Sequence, residues 1–403
     1  FTAKQMSALS VAQLNALSAT DIQQLSPEQV RALTATQIAG LSSETLDKFT
    51  TSQLSQLTSS QVRSLPSHRL NALSSDRLQA LDVSGLTFSQ LTRLTTDAFD
   101  SFSTAQIATL SASQISALPS TLLGTLSAEE VQGLSLAQVS GLNGRQLAGA
   151  STDFLGSLTA SQIGVLSSTQ IRSLSASQLE ALPASSIAAF DAANFTTTQL
   201  ARLSATGVES LTATQFAALS SAQISALSTT AINTLPVSVL QSLSATQVSG
   251  LTARQIGSAT ATTLSNFTAT QLAQLTAKQT ANLKPAQFAE LPASTLQALS
   301  SASFSAAQLA GLSAATFDAL SSAQILGFSA SQLGALSSTS INSLTPGEIG
   351  SLTTTQIQGL KTTQIAAAST TLITALDSTQ LGSLTSLQVK ALTSTQIDAL
   401  TAG

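Results

Sequence analysis

The chain has 403 residues and a formal net charge of −4, and only 8% of its residues are Asp, Glu, Lys or Arg, against about 25% in typical soluble proteins. It contains one His, one Met and no Cys, Trp or Tyr, which excludes disulfides and thiolate metal sites. The Lys and Arg residues are scattered singly, so we expect neither nucleic-acid binding nor attachment to an anionic membrane surface. No apolar run approaches the roughly 18 residues of a membrane span.

From the second residue onward, the sequence repeats every eight residues. The first five of these octads read TAKQMSAL, SVAQLNAL, SATDIQQL, SPEQVRAL and TATQIAGL. Position 1 is usually Ser or Thr, position 4 is usually Gln, position 5 is apolar in nearly every octad, position 7 is usually small and position 8 is usually Leu. We count 48 octads, of which 32 have Gln or Glu at position 4, so the pattern is a true internal repeat.

Each octad carries the signals of a helix start. Ser or Thr followed three residues later by Gln is a capping box, and the apolar residues on either side of it form a hydrophobic staple. In the fifth octad, Thr34 is the predicted cap, Gln37 closes the box, and Ile38 packs on Leu33. Pro at position 2, as at Pro27, fits the first residue of a helix. We therefore predict one short helix per octad.

Neither a single long helix nor a set of strands fits the pattern well. Eight residues advance an α-helix by about 80° beyond two turns, so the leucines of one long helix would not form a single buried face. The apolar residues are alternately three and five residues apart, so successive anchors on a strand would point to opposite faces. The sequence therefore predicts an all-α solenoid, or superhelix, of very short helices that stack on their neighbours. A β-solenoid is the alternative.

The octads are interrupted by five-residue units, which begin 109 residues apart and are Asp82–Leu86, Asp191–Phe195 and Ser300–Phe304. A super-repeat of 13 octads plus five residues gives the phases 1–86, 87–195, 196–304 and 305–403. We predict one continuous array over residues 1–403, with four coils averaging about 27 residues in each super-repeat (109 ÷ 4). Both ends stop in mid-pattern, so we expect either a longer protein or ends that join other copies.

Octads without Gln or Glu at position 4 recur in a rhythm within the super-repeat, and one of them, which begins at Pro236, falls outside it. Some place an apolar residue at position 4, as at Leu122, Phe154 and Leu372, and we expect these side chains to be buried at a recurring corner. Duplication of a 109-residue block explains the super-repeat but not this rhythm. The glutamine column has two roles open to it, which are helix capping and an amide ladder between coils or chains.

Catalysis needs convergent polar groups, and the sequence offers few candidates. His68 lies at the variable position 3 of its octad, where we expect it to be exposed. Asp97 and Asp100 are close enough in sequence to share a cation, but calcium needs more oxygen ligands, and solvated or helix-start carboxylates are the alternative. Asn194 and Asn266 begin glycosylation sequons, which also arise by chance in a Thr-rich chain. We expect that the protein is not an enzyme, that it has no catalytic, cofactor-binding or metal-binding residues, and that it uses no cofactor.

The blocks LTATQI, LSASQI and LTTTQI resemble the octapeptide arrays of very large repetitive secreted bacterial proteins, which are described as adhesins. The resemblance extends over the whole chain and implies an extracellular or cell-surface location and a structural role, and it transfers no functional residues. We therefore expect a bacterial structural protein that self-associates into a stalk, fibre or filament. The alternative is an adhesin shaft, or a solenoid that binds a peptide or a glycan at the cell surface.

Overall fold

A computed structural model of the protein describes residues 1–401, and for Ala289 it describes the backbone only. Within this range there are 48 α-helices, three 3₁₀ helices and no β-strand. Each octad forms one α-helix and each five-residue unit forms one 3₁₀ helix, so the predicted all-α solenoid of very short helices is confirmed. The β-solenoid alternative is wrong, because the hydroxyl at position 1 starts a new helix instead of continuing an extended chain.

The contacts divide the chain into two compact units, Phe1–Phe195 and Thr196–Gly403. The helices of the first unit are α1 (Ala3–Ala8), α2 (Val11–Asn15), α3 (Ala19–Gln23), α4 (Pro27–Arg31), α5 (Ala35–Gly40), α6 (Ser43–Lys48), α7 (Thr51–Leu54), α8 (Ser59–Ser64), α9 (Ser67–Leu70), α10 (Ser75–Gln79), the 3₁₀ helix η1 (Val83–Gly85), α11 (Phe88–Leu91), α12 (Thr96–Asp100), α13 (Thr104–Thr109), α14 (Ala112–Ala117), α15 (Ser120–Leu123), α16 (Ala128–Gly133), α17 (Leu136–Ser140), α18 (Gly144–Ala148), α19 (Thr152–Ser157), α20 (Ala160–Gly164), α21 (Ser168–Ser173), α22 (Ala176–Glu180), α23 (Ala184–Ala189) and the 3₁₀ helix η2 (Ala192–Asn194).

The helices of the second unit are α24 (Thr197–Arg202), α25 (Ala205–Glu209), α26 (Ala213–Ala218), α27 (Ser221–Ala226), α28 (Thr229–Thr234), α29 (Val237–Ser242), α30 (Ala245–Gly250), α31 (Ala253–Ser258), α32 (Ala261–Ser265), α33 (Ala269–Leu272), α34 (Ala277–Ala281), α35 (Pro285–Glu290), α36 (Ala293–Ala298), the 3₁₀ helix η3 (Ser301–Ser303), α37 (Ala306–Ala310), α38 (Ala314–Asp318), α39 (Ser322–Leu326), α40 (Ala330–Leu333), α41 (Ser338–Asn342), α42 (Pro346–Ser351), α43 (Thr354–Gln358), α44 (Thr362–Ala366), α45 (Thr370–Thr374), α46 (Ser378–Gly382), α47 (Ser386–Lys390) and α48 (Ser394–Thr401).

The capping box predicted from the sequence is the local signal that starts most of the helices. At α5, the Thr34 hydroxyl accepts a hydrogen bond from the Gln37 N–H at 3.2 Å, and Gln37 Oε1 accepts one from the Thr34 N–H at 2.7 Å. The helix ends at Gly40, and its C-cap, Leu41, has extended backbone angles (φ −61°, ψ 137°) and leads directly into the next cap, Ser42. The chain therefore turns after little more than one helical turn, which is why no long helix forms.

The first two five-residue units begin with an aspartate that caps a 3₁₀ helix. Asp82 Oδ1 accepts a hydrogen bond from the Ser84 N–H at 3.1 Å, and Asp191 Oδ1 accepts one from the Ala193 N–H at 3.1 Å. The third unit begins at Ser300, whose side chain makes no capping bond. Within the units, η1 and η3 each take the place of one α-helix in the series, since η1 contacts α8 and α13 and η3 contacts α34 and α39.

Within each unit, helices pack mainly on the third element after them, as α5 does on α8 and α27 on α30. Glutamine side chains reach back somewhat further, typically 28 and 31 residues along the chain, as Gln37 does to Leu9 and Met6. One turn of the solenoid, called a coil below, therefore takes between three and four elements. This span agrees with the predicted average of about 27 residues.

The core consists of the apolar residues at positions 5 and 8, as at Ile38 (0% exposed) and Leu41 (1% exposed). The apolar residues that replace Gln at position 4 are buried too, as expected of them: Leu122, Phe154 and Leu372. Because each helix is too short to be stable alone, this burial between coils is what stabilises it. Among residues 1–401, no helix combines the length and the apolar character needed to cross a membrane.

Small residues at position 7 allow coils to approach closely, as at Gly40 and Gly250. A Cβ added to Gly40 would lie 2.7 Å from Val11 Cγ1, and one added to Gly250 would lie 2.5 Å from Ser221 Cβ. Both distances are shorter than real Cβ contacts, so a larger side chain at either position would push two coils apart.

Candidate functional site

The glutamine at position 4 bonds at both ends of its amide group. While Gln37 Oε1 accepts from the N-cap of its own helix, Gln37 Nε2 donates to the carbonyl oxygens of Met6 (2.9 Å) and Leu9 (2.7 Å) in the preceding coil. Carbonyl groups at the end of a helix have no partner within that helix. One side chain therefore caps the start of its own helix and the end of another.

This arrangement, called the glutamine ladder below, recurs in both units. Gln146 Nε2 donates to Ile115 O and Leu118 O, both at 2.8 Å, which lie 31 and 28 residues earlier. Where a five-residue unit intervenes the spans shorten by three residues. The two roles that the sequence left open for the glutamines, capping and a ladder between coils, hold together. The ladder runs from amide to backbone carbonyl, not from amide to amide.

Proline explains five of the octads that lack Gln at position 4. A proline at the N-cap has no N–H, so the Oε1 of a glutamine at position 4 of the same octad would have no hydrogen-bond donor. The octads that begin with proline, none of which has Gln at position 4, start at Pro66, Pro119, Pro183, Pro236 and Pro292. The octad at Pro236, which fits no sequence rhythm, is accounted for by this local rule.

In a second group of octads without Gln at position 4, the N-cap N–H is bonded by an asparagine that lies in the preceding coil. Asn233 Nδ2 donates to Ser258 O at 3.0 Å, and Asn233 Oδ1 accepts from the Thr260 N–H and the Thr263 hydroxyl, both at 3.0 Å. We call this arrangement an asparagine clamp. The other clamps are Asn15 on Gly40 and Ser42, Asn71 on Arg93 and Thr95, and Asn342 on Ala367 and Ser369.

Arginine occupies position 4 in two neighbouring octads, with different results. Arg77 Nη1 takes the place of the glutamine amide and donates to Leu46 O (3.1 Å) and Phe49 O (3.0 Å). Arg69, in contrast, has buried Nε and Nη1 atoms without a hydrogen-bond partner. The unpartnered nitrogens of Arg69 lower the stability of this coil, because burying a polar group without a partner is costly.

The candidate residues from the sequence are not brought together into a reactive site. His68, Asp97 and Asp100 are exposed, and the residues that the structure describes contain no group of three or more His, Cys, Asp or Glu side chains able to hold a metal ion. Asn194 and Asn266 are half-buried, and Asn194 Nδ2 donates to Asp191 Oδ2 at 2.9 Å. The expectation of no catalytic, cofactor-binding or metal-binding residue stays a prediction.

His68 does lie in a groove that the sequence did not reveal. The groove has a volume of about 550 Å³, lies between the segment of α8 and α9 and the next coil at α11, and is lined by Arg63, His68 and Arg93. Its polar lining is completed by Ser67, Asn71, Thr87, Ser89 and Gln90 and includes no carboxylate. Arg63 and Arg93 are exposed, and within residues 1–401 their guanidinium groups make no ion pair or hydrogen bond.

A second groove, of about 480 Å³, adjoins the first, since Arg63 and Thr87 line both. Phe88 lines this second groove and is 55% exposed, whereas every other Phe except Phe1 is buried. Phe88 stands at position 2 of its octad, which usually has a small residue. The two grooves together, called the arginine groove below, place cationic side chains beside an exposed aromatic ring.

The arginine groove lies where the positive charge of the chain is concentrated. Residues 63–93 include four of the 15 Lys and Arg residues and the only His, but two of the 19 Asp and Glu residues. The second unit has a groove of about 450 Å³ lined by Arg254 and Lys278, without His or an aromatic residue. No family model matches the chain, and no curated protein matches it.

Proposed function

We propose that the protein is an extracellular structural repeat protein, located outside the cell or on its surface, whose stacked coils form a stalk, fibre or filament. The observation that carries the proposal is the glutamine ladder. Because ladder side chains such as Gln37 and Gln146 bond two carbonyls of the preceding coil, each of these coils is positioned by the one before it, and adding coils extends the solenoid without new chemistry. The role is mechanical and not catalytic.

The polarity of the ladder supports self-association. On one side a coil presents glutamine amides that donate, as Gln162 Nε2 does to Val131 O and Leu134 O at 2.8 Å, and on the other side it presents carbonyls that accept. Two copies of the chain are therefore complementary head to tail, and a head-to-tail contact produces an open filament when it does not close into a ring.

Electron microscopy and sedimentation of the purified 403-residue chain test this role. We expect end-to-end chains of particles that lengthen as the protein concentration rises. Compact particles whose mass stays constant over the same concentrations would contradict the proposal. Protease treatment of intact source cells tests the location separately, since a surface protein is degraded while cytoplasmic markers survive.

A further inference from the structure

We propose that the arginine groove is a binding site for an acidic saccharide, in which Arg63 and Arg93 bind the carboxylate of a uronic acid unit and Phe88 packs on an apolar sugar face. The site does not depend on the structural role proposed above, because all the residues that line the groove lie within the first unit of one chain. It would give the protein a means of attachment as well as a scaffold.

The charges of the groove select an anion. Arg63, His68 and Arg93 line one groove without a carboxylate among them, and the two guanidinium groups have no partner in the described part of the protein. Guanidinium groups bind carboxylates through paired, charge-assisted hydrogen bonds. The nearby Asp82 carboxylate is already bound by the Ser59 and Ser84 hydroxyls, at 2.9 and 2.6 Å, so Arg63 and Arg93 remain available to a ligand.

The backbone around Arg93 is held in place before any ligand binds. Asn71 Nδ2 donates to Arg93 O at 2.9 Å, and Asn71 Oδ1 accepts from the Thr95 N–H at 3.1 Å. This asparagine clamp joins the Arg93 backbone to the coil that carries His68. A fixed spacing between the two sides of the groove lowers the ordering cost of binding.

The remaining lining favours a sugar over an acidic peptide. Backbone groups in the groove are already bonded, since Thr87 N–H donates to Gln90 Oε1 and Leu65 O accepts from Gln90 Nε2. A peptide would therefore find no free backbone edge to pair with. The Ser67 and Ser89 side chains offer hydroxyls, and the exposed Phe88 ring offers an apolar face. A pyranose carboxylate presents matching hydroxyls, an anion and a C–H face within the size of this site.

Calorimetric titration of the full chain with a trimer of galacturonic acid tests the proposal. We expect saturable binding to the wild-type protein. The dissociation constant is expected to rise at least about tenfold for the double variant R63A/R93A and about fivefold for F88A. The methyl ester of the same trimer, which keeps the sugar rings but loses the charge, is expected not to bind. All three replaced side chains are exposed, so unchanged circular dichroism and urea midpoints are expected for the variants.

The second unit supplies the matched control. The double variant R254A/K278A removes the same number of cations from a groove without His or an aromatic residue, and its affinity for the trimer is expected to stay at the wild-type value. Absence of binding to the trimer, equal binding of the methyl ester, or equal weakening by R254A/K278A would each overturn the proposal. Tighter binding of a poly-glutamate peptide than of the trimer would overturn it in favour of an acidic protein partner.

Discussion

At the residue scale, one amide side chain performs two tasks that usually need two residues. Gln162 Oε1 accepts from the Thr159 N–H at 2.8 Å, and Gln162 Nε2 donates to Val131 O and Leu134 O at the same distance. The side chain is 2% exposed, so water cannot replace these bonds. A buried group that loses its partner pays the desolvation cost in full, which makes position 4 the most sensitive polar position of the octad.

Replacing Gln162 with Glu separates the two tasks. The new carboxylate still accepts from Thr159, but it faces two carbonyl oxygens with no donor, and we expect unfolding to become easier by about 2–4 kcal/mol at neutral pH. Burial beside carbonyls raises the pKa of the new carboxyl in the folded state, so the loss is smallest in acid, where the protonated group donates, and grows as the pH rises through that raised pKa.

Urea unfolding of the Gln162→Glu variant at several pH values measures this effect. The matched control is Gln241→Glu at an exposed position 6, for which we expect a midpoint near that of the wild type. If both variants unfold at the wild-type midpoint, the bonds from Gln162 Nε2 to the carbonyls of the preceding coil contribute nothing to stability.

Replacing Arg69 with Leu is expected to stabilise the protein. The substitution removes a buried guanidinium with two unpartnered nitrogens and supplies an apolar side chain, as Leu122 does at position 4 of another octad that begins with proline. We expect a gain of about 1 kcal/mol in the free energy of unfolding. Arg77→Leu is the control, because Arg77 makes the ladder bonds, and its midpoint is expected to fall. A lower midpoint for Arg69→Leu would show that the arginine has a partner in solution.

At the element scale, each helix is too short to form without help from its neighbours. Helices of four to six residues, such as α7 and α5, lie far below the roughly 12 residues at which isolated helices become marginal. They persist because the N-terminal N–H groups and the C-terminal carbonyls are both satisfied, the first locally and the second from the next coil. Removing one bridge is therefore expected to loosen two elements at once.

The asparagine clamps allow this expectation to be tested in both directions. Asn233→Ala removes the acceptor of the Thr260 N–H and is expected to cost about 1–3 kcal/mol and to speed hydrogen exchange at Thr260.

Gly124 stands 109 residues before Asn233, has helical backbone angles (φ −71°, ψ −13°) and has room for a Cβ. Gly124→Asn is therefore expected to add a clamp on Ser151 and to slow exchange at its N–H. Unchanged exchange in both variants would contradict the role of the clamp.

At the scale of the whole molecule, apolar burial and neutral hydrogen bonds dominate over charge. The ion pairs that the structure describes in residues 1–401 are Lys48 with Glu44 at 3.5 Å and Arg77 with Asp47 at 3.8 Å, and the Glu44 side chain is 85% exposed. Exposed ion pairs contribute little and are screened by salt. We therefore expect the unfolding temperature to change little between low salt and about 1 M NaCl. A large decrease would show that electrostatic contacts carry the fold.

Acid is expected to weaken the protein where carboxylates accept hydrogen bonds. The Ser84 hydroxyl bond, with further bonds from Ser59 and the Ser84 N–H, holds the pKa of Asp82 below its usual value despite partial burial. Burial raises the pKa of Glu348, but bonds from the Thr345 N–H and the Ser322 and Thr345 hydroxyls outweigh it, and the net shift is downward. A lowered folded pKa adds stability above the usual carboxyl range, and this stability is lost as the pH falls through the lowered value.

Thermal unfolding as a function of pH measures this dependence. We expect a flat profile near neutral pH and a fall in acid, with a shallower fall for Asp82→Asn, because the amide cannot titrate. Ser300 occupies the equivalent position of the third five-residue unit and has no carboxylate, so Ser300→Asn is the matched control and is expected to leave the acid limb unchanged. An identical acid limb for Asp82→Asn and the wild type would contradict the assigned role of Asp82.

Much of the local structure follows from the sequence alone. The hydroxyl at position 1 and the Gln at position 4 determine where most helices begin, since the two residues lie three positions apart and bond each other, as Thr34 and Gln37 do. The apolar residues at positions 5 and 8 identify the core, and the odd spacing between them argues against strands. These inferences succeed because every interaction involved lies within one octad or across one junction.

The tertiary structure decided the interactions that join residues 22 to 31 positions apart. The carbonyl partners of Gln37, the clamp of Asn233 on Thr260, and the position of Arg63 and Arg93 in one groove depend on which octads face each other across coils. An eight-residue period does not determine this, because the number of octads in one turn is set by how the helices pack and not by any single repeat. The sequence therefore determined the elements and their buried faces, whereas coil geometry alone decided which polar groups bond and where charge collects.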